Sequence, residues 1–358
     1  MLILAETGAR IAIRLRWGPE KIRSMTSHSS IHGQFMGHPY LPYVLAPNVY
    51  GHNALGFRGK PFEPEKPKGL IRIVCMGSSS TYGVYVSSDD AYPSQLEKLL
   101  RQEGIQVEVI NAGVPGWVST ENLLYLQLCI LPLKPDIVVV YEGRNEVFPQ
   151  AFNGYKPDYS HYRRGDYNMA RSNYLHKCLF RISNLLMILA TYREDRLGWS
   201  SVEENPVYGC IDFRNRPSSS QVMANLDDPA RNDTYRGVVQ RMISICRGAH
   251  CKIVFCTFAC RAEKLATGNL ENDPAIYEAL QAQVEENNAI VREECARNSV
   301  FVVETASLAE EADLFIDDCH MSAHGHAKQA RMVFNVLIDE ENGFLASSGK
   351  DNKTGAQP

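Results

Sequence analysis

Four short polar blocks of the sequence contain the residue types that acyl transfer to water requires. They are GSSSTYG (77–83), NAGVPG (111–116), GRNE (143–146) and DDCH (317–320). Together they offer hydroxyls, a glycine-rich turn, a side-chain amide and an aspartate close to a histidine. A nucleophile, donors for a developing oxyanion and an oriented base are the parts of such a reaction. Each block alone also fits a helix cap, a loop or a surface residue. Only the presence of all four blocks together indicates this chemistry.

The elements that must position these blocks are five predicted strands. They are IRIVCM (71–76), VEVI (107–110), DIVVVYEG (136–143), KIVFCTF (252–258) and VFVVE (300–304). Short continuous apolar runs that alternate with helical segments predict a parallel sheet covered on both faces. The first three blocks follow the first three strands, and the fourth lies between the last strand and the final helix. Polar residues beyond the carboxyl ends of such strands share one edge of the sheet, where the site is expected.

In this order and on these strand ends, the blocks resemble those of the SGNH/GDSL hydrolase family. Its first block usually reads G-D-S-x-T-x-G, and here Ser78 replaces the aspartate. Its third block usually reads G-x-N-D, and here Glu146 replaces the last residue. The resemblance covers residues 70–146 and 300–335. We therefore expect a three-layer α/β/α flavodoxin-like fold with a five-stranded parallel sheet.

The resemblance implies five site residues, which are Ser79, Gly116, Asn145, Asp317 and His320. Ser79 would be the nucleophile, at a turn from strand to helix where backbone N–H groups can face an oxyanion. Glycine at 116 would let the backbone approach the substrate, with the Asn145 amide as a further donor. Asp317, three residues before His320, would orient the ring so that the base faces Ser79.

Several neighbours invite other interpretations. Asp318 is the alternative carboxylate for orienting His320. Cys319 lies beside the proposed base, but its spacing predicts a side chain that points away from His320 and packs. His324 and His326 suggest a metal, although they open the last helix and are interpreted as surface residues there. We expect neither a metal nor an organic cofactor.

The chain divides into three predicted regions. Residues 1–69 are an N-terminal arm, 70–340 are the catalytic domain, and 341–358 are a polar tail expected to be disordered. An insertion at about 148–235 follows the third strand and can overhang the catalytic edge. Its tyrosines and arginines suit a sugar or an acylated polar ligand, but equally an ordinary wet loop; they are Tyr155, Tyr159, Tyr162, Arg163, Arg164, Tyr167 and Tyr174. The apolar stretch 179–192 is expected to be a packed helix rather than a lid.

The composition and charge of the chain limit the kinds of partner that it is expected to bind. With 358 residues and a formal net charge of −4, the chain has no global basic field for nucleic acid. A local cluster of Arg10, Arg14, Arg16, Lys21 and Arg23 is interpreted as a solvated face, so membrane contact is unsupported, and the oligomeric state is left open. Among the ten cysteines, Cys75 and Cys256 lie in apolar runs and are predicted to be buried thiols.

The start of the sequence lacks the order of a signal peptide, and no apolar run reaches the length of a membrane span. We expect a cytoplasmic protein if the chain is complete, and an exported or membrane-attached one if an anchor lies upstream. The expected activity is hydrolysis of a carboxylic ester, such as an acetyl ester of a carbohydrate, through an acyl-serine. The alternatives are an O-acyltransferase that uses a carbohydrate acceptor and a non-catalytic carbohydrate-binding module.

Overall fold

The computed structural model describes residues 2–16, 31–164, 183, 185–186, 207, 210–261, 274–339 and 344–345. These residues form two compact units. The first comprises Met1–Gly56 and Tyr159–Arg216, and the second comprises Phe57–Asp158 and Pro217–Pro358. The predicted regions 1–69, 70–340 and 341–358 remain predictions.

The first unit contains one long helix and a small antiparallel sheet. Helix α1 spans Leu2–Arg16, and the strands are β1 (Ile31–His32), β2 (Phe35–Met36) and β3 (Val44–Leu45), paired in that order. Phe35 and Tyr43 are buried and pack edge to face, with ring centroids 4.8 Å apart. The sequence of this region predicted an extended arm, and its sheet was not predicted.

The second unit is built on a five-stranded parallel sheet. Its strands are β4 (Ile71–Gly77), β5 (Val107–Gly113), β6 (Ile137–Tyr141), β7 (Lys252–Cys256) and β8 (Phe301–Val303). Their order is β5-β4-β6-β7-β8, with all neighbours parallel. This 2-1-3-4-5 order is that of flavodoxin-like folds, and the prediction is confirmed.

Helices complete the second unit. They are α2 (Ser79–Tyr82), α3 (Tyr92–Gln102), α4 (Ser119–Tyr125), α5 (Val147–Ala151), α6 (Ser219–Leu226), α7 (Asp233–Gly248), α8 (Pro274–Asn298) and α9 (Ala323–Ile338). A π-helical turn lies at Leu126–Ile130. Short 3-10 helices lie at Leu131–Leu133, Phe213–Asn215 (in the first unit), Pro229–Asn232, Thr305–Glu310 and Ala312–Leu314. Within the described residues, no helix combines the length and the apolar character needed to cross a membrane.

The core forms because alternate strand residues meet the apolar faces of the helices. Ile73 and Cys75 of β4 share one buried cluster with apolar residues of α3, α8 and α9. Val74 and Met76, which point to the opposite face, are also fully buried. Both faces of the sheet are therefore covered, and Cys75 and Cys256 are buried as predicted.

Arg72 ties the segment before β4 to the sheet. Its side chain is fully buried, and its Nε donates to Glu108 at 2.5 Å. The same guanidinium donates to the carbonyls of Glu63, Pro64 and Leu133 at 2.6–2.9 Å. Because the charge is paired and its donors are used, its burial is tolerated. The segment from Phe57 to Arg72 thus belongs to the second unit.

Candidate active site

The turn after β4 presents Ser79 at the carboxyl edge of the sheet. Ser79 is the first residue of α2, and it is partly exposed between the buried Ser78 and Ser80. Glycines make the tight turn fit: a Cβ on Gly77 would lie 2.2 Å from the carbonyl oxygen of Tyr141. A Cβ on Gly113 would lie 2.3 Å from the backbone nitrogen of Tyr82. Helix α2 can therefore press directly onto the end of β5.

A continuous hydrogen-bonded chain joins Ser79, His320 and Asp317. Ser79 Oγ lies 2.8 Å from His320 Nε2, and His320 Nδ1 lies 2.7 Å from Asp317 Oδ2. The network assigns the tautomer, since a carboxylate only accepts and Nδ1 must therefore carry the proton. Nε2 is then the acceptor for the serine hydroxyl, which is the geometry of a general base on a nucleophile.

Asp317 is held in its ionised form. Burial by itself would raise the pKa of this carboxyl, but hydrogen bonds and positive charge from His320 outweigh it and the pKa is lowered. Its other oxygen accepts the backbone N–H groups of Cys319 at 3.0 Å and His320 at 2.7 Å. Three hydrogen bonds thus fix the carboxylate that orients the ring.

Gly116 and Asn145 lie on the loops that flank Ser79. The loop after β5 turns at Val114–Trp117, with Trp117 N–H donating to Val114 at 3.3 Å. Pro115 followed by Gly116 at φ +79° fits a type II turn, which requires a positive φ at that position. Asn145 Nδ2 donates to the carbonyl of Trp117 at 2.8 Å. An amide nitrogen carries two hydrogens, so one donor remains on Asn145 after this bond.

Residues next to the candidate catalytic groups tie the four loops together. Ser80 Oγ donates to the carbonyl of Cys319 at 3.0 Å, which joins the serine turn to the histidine loop. Arg144 pairs with Asp318 at 3.0 Å, with both side chains less than one tenth exposed. Glu146 accepts the backbone N–H and the hydroxyl of Ser119, the latter at 2.8 Å. Each loop is therefore braced by a neighbour of its functional residue.

Two buried carboxyl groups lie behind the Asn145 loop. Burial, and then the negative charge of Glu146, raises the pKa of Glu142 well above its ordinary value. Glu142 accepts from Asn122 at 2.9 Å, while Glu146 uses both oxygens on Ser119. Protonation of Glu142 spares this site a buried double charge. Sequence reasoning noted Glu146 as a departure from the usual block but missed this role.

The structure shows the contacts of the neighbouring residues for which the sequence allowed other interpretations. Asp318 contacts Arg144 rather than His320, so Asp317 alone orients the ring. The expectation that Cys319 points away from His320 is wrong, because its Sγ lies 3.6 Å from Nδ1. Burial and the charge of Asp318 raise the pKa of this thiol well above its ordinary value, so it remains protonated. His324 is exposed as expected, whereas His326 is buried.

Asp317, Cys319 and His320 also bring three metal-type ligand atoms within 4.8 Å of one another. Metal ligation needs a thiolate and a free ring nitrogen. Here the thiol is kept protonated and Nδ1 is bonded to Asp317. The three residues therefore fit base orientation better than they fit a metal.

The tyrosines of the insertion that the structure describes do not form one exposed surface. Tyr159 and Tyr162 are buried in the first unit. Tyr155 is partly buried in the second unit, where its hydroxyl lies 2.6 Å from Thr234 Oγ1. Tyr167, Tyr174 and most of the predicted helix 179–192 lie outside the described residues.

The flavodoxin-like sheet carries a hydrogen-bonded serine, histidine and aspartate at its carboxyl edge, which is the arrangement that serine hydrolases use. Residues 75–204 match the model of the GDSL-like Lipase/Acylhydrolase family, which is the family that the four sequence blocks resemble. The matched segment contains Ser79, Gly116 and Asn145, and it ends before Asp317 and His320. No curated protein matches the sequence.

Solved structures of esterases resemble the chain at low identity. A lipase/acylhydrolase from Enterococcus faecalis is 16% identical and covers 78% of this chain and 100% of its own, with a TM-score of 0.44. An acetyl xylan esterase from Geobacillus stearothermophilus is 15% identical and covers 80% and 100%, with a TM-score of 0.44. A second acetyl xylan esterase is 15% identical and covers 75% and 100%, with a TM-score of 0.42.

Proposed function

We propose that the protein hydrolyses a carboxylic ester through an acyl-Ser79 intermediate, with an acetyl ester of a carbohydrate as its substrate. The observation that carries the mechanism is the chain of short contacts from Ser79 Oγ through His320 to Asp317. These contacts match the roles of nucleophile, base and orienting carboxylate.

In the first half-reaction, Ser79 Oγ attacks the carbonyl carbon while its proton passes to His320 Nε2. Asp317 stabilises the imidazolium that forms. The negative charge on the carbonyl oxygen is met by the N–H groups of Ser79 and Gly116 and by the Asn145 amide. As the first helical residue, Ser79 has no acceptor for its N–H within its own helix. The alkoxide then leaves with the proton from Nε2, and the acyl group stays on Ser79.

In the second half-reaction, water replaces the alcohol. His320 Nε2 takes a proton from the water, whose oxygen attacks the acyl-serine carbonyl. Collapse of the intermediate returns that proton to Ser79 Oγ and releases the carboxylic acid. The sum is one ester and one water converted to one alcohol and one acid. Transfer of the acyl group to a sugar hydroxyl would differ only in the second nucleophile.

The test is a series of p-nitrophenyl esters, from acetate to palmitate, with the wild type and Ser79→Ala. We expect the substitution to lower kcat by at least about 10³-fold, because the nucleophile is lost while the oxyanion donors remain. A preference for acetate would support the acetyl-ester proposal, and a preference for long chains would contradict it. If Ser79→Ala hydrolyses the acetate as fast as the wild type, the mechanism is wrong.

A further inference from the structure

Tyr85 is an exposed aromatic residue beside the candidate base. Its ring centroid lies 5.5 Å from that of His320, and the two rings are nearly perpendicular at 88°. The residue is 66% exposed, so it contributes little to the core. Its backbone has a φ of +72°, a conformation that bulky residues rarely adopt. Strained backbone of this kind concentrates at sites of ligand contact.

The turn that carries Tyr85 is held firmly against the serine turn. Gly83 and Val84 both donate their N–H groups to the carbonyl of Ser79, at 3.0 and 3.2 Å. On the other side of Tyr85, the carbonyl of Val86 accepts from Arg58 at 2.7 Å. A Cβ on Gly83 would lie 2.8 Å from Ala91, so the turn is also closely packed. The backbone that carries Tyr85 is therefore held close to Ser79.

Proton transfer decides which part of a substrate this ring would meet. His320 Nε2 must deliver its proton to the oxygen of the departing alcohol, so the alcohol half lies on the His320 side of Ser79. The carbonyl oxygen lies on the side of Gly116 and Asn145. Tyr85 is next to His320, and it therefore flanks the alcohol half rather than the acyl half.

The surroundings of Tyr85 indicate the chemistry of that alcohol. A tyrosine ring offers a flat apolar face and a polar edge that stays in water. Val86 follows Tyr85 directly, and the next four residues, Ser87, Ser88, Asp89 and Asp90, are polar or acidic. A long alkyl chain would require a deep apolar groove, whereas a sugar ring has an apolar face and a rim of hydroxyl groups. The surroundings of Tyr85 therefore fit a sugar ring better than they fit a long alkyl chain.

We propose that Tyr85 is a specificity residue that stacks on a sugar ring in the alcohol half of the ester. This inference rests on the proposed ester hydrolysis and goes beyond it by naming the contact that selects the alcohol. It concerns binding of the alcohol and leaves the chemistry at Ser79 unchanged.

The test compares two acetate esters that differ only in the alcohol, ethyl acetate and methyl 6-O-acetyl-glucopyranoside. Tyr85→Asn removes the ring but tolerates the positive φ, and Tyr85→Phe keeps the ring. We expect Tyr85→Asn to lower kcat/KM for the sugar ester about three- to tenfold, the size of an aromatic contact, with no change for ethyl acetate. Tyr85→Phe should behave like the wild type on both esters. Equal losses on both esters, or no loss on either, would overturn the proposal.

A binding measurement separates this proposal from the hydrolysis itself. Methyl glucopyranoside, the alcohol product, is titrated into each variant and followed by saturation-transfer NMR, which needs no turnover. Weaker binding to Tyr85→Asn than to Tyr85→Phe supports the contact even if the wild type hydrolyses neither ester. Equal binding to the two variants overturns it even if hydrolysis by Ser79 is established.

Discussion

Two adjacent aspartates, Asp317 and Asp318, have different partners at the residue scale. Asp317 binds the ring of His320, and Asp318 pairs with the buried Arg144. In the proposed reaction the first contact sets the tautomer of His320 and stabilises the imidazolium. The second contact matters for folding, because it neutralises a charge that has left water.

Substituting each aspartate by asparagine therefore has separable effects. We expect Asp317→Asn to lower kcat by roughly 10²–10⁴-fold, since the ring loses its orienting charge. We expect Asp318→Asn to lower the free energy of unfolding, by up to about 3–5 kcal/mol, while kcat of the folded protein changes little. Ester kinetics and urea titration of both variants measure this. A loss of kcat in Asp318→Asn equal to that in Asp317→Asn would contradict the assignment.

The sequence predicted that the four loops meet at one edge of the sheet, but it did not predict the side chains that support them. Ser79, Asn145 and His320 lie just beyond strands or before a helix. The order of the blocks and the pattern of the strands were therefore enough to predict that these residues share one edge of the sheet. The pairing of Arg144 with Asp318 joins residues 174 positions apart, and no local pattern encodes it. Sequence spacing also misplaced Cys319, because the histidine loop is irregular and has no fixed side-chain period.

At the scale of elements, helix α9 packs against α3 through a buried histidine. His326 is only 1% exposed, and its Nδ1 accepts the backbone N–H of Tyr92 at 3.3 Å. Burial, and then the charges of His320 and Arg58, lowers the pKa of His326 from 6.5 to about 4. A protonated ring would lose the bond to Tyr92 and would bury a charge. The sequence AHGHAK looks polar, which is why surface placement was expected for both of its histidines.

This histidine makes stability depend on pH. Between pH 6.5 and about 4 the unfolded chain binds a proton at His326 that the native protein does not, so stability falls as pH falls through that window. The loss of stability from His326 reaches about 3 kcal/mol below about pH 4. Above the pKa of the unfolded chain, neither state binds the proton and the loss is zero. His326→Asn, which keeps an acceptor but cannot titrate, should flatten the dependence in urea titrations at several pH values.

The exposed His324, two residues earlier in the same helix, provides the matched control. His324→Asn should leave the slope of stability against pH as it is in the wild type. If His326→Asn retains the wild-type slope, the buried neutral state of His326 is refuted.

Element prediction succeeded where the elements were long and fully buried. Strand β4 begins at Ile71 as predicted and extends one residue further, to Gly77. Parallel strands covered on both faces are continuous apolar runs, which the sequence displays directly. The strands of the first unit have two residues each, too few to show an alternating pattern, so its sheet was missed.

At the scale of the whole molecule, the sheet order accounts for the position of the site. Strand β4 lies between β5 and β6, so the loops that carry Gly116 and Asn145 flank the Ser79 turn from both sides. This reversal point of the strand order is where flavodoxin-like sheets bind ligands. The fold brings four distant segments to one edge, and the proposed nucleophile lies at its centre.

The central claim is that Ser79 is the nucleophile. The most direct test is labelling with a fluorophosphonate, followed by peptide mass spectrometry of the wild type, Ser79→Ala and Ser78→Ala. Ser78 is the adjacent serine of the same turn, and it is buried. We predict an adduct on Ser79 in the wild type and in Ser78→Ala, and none in Ser79→Ala. Labelling of Ser79→Ala at the wild-type rate, or an adduct at another residue in the wild type, would contradict the account.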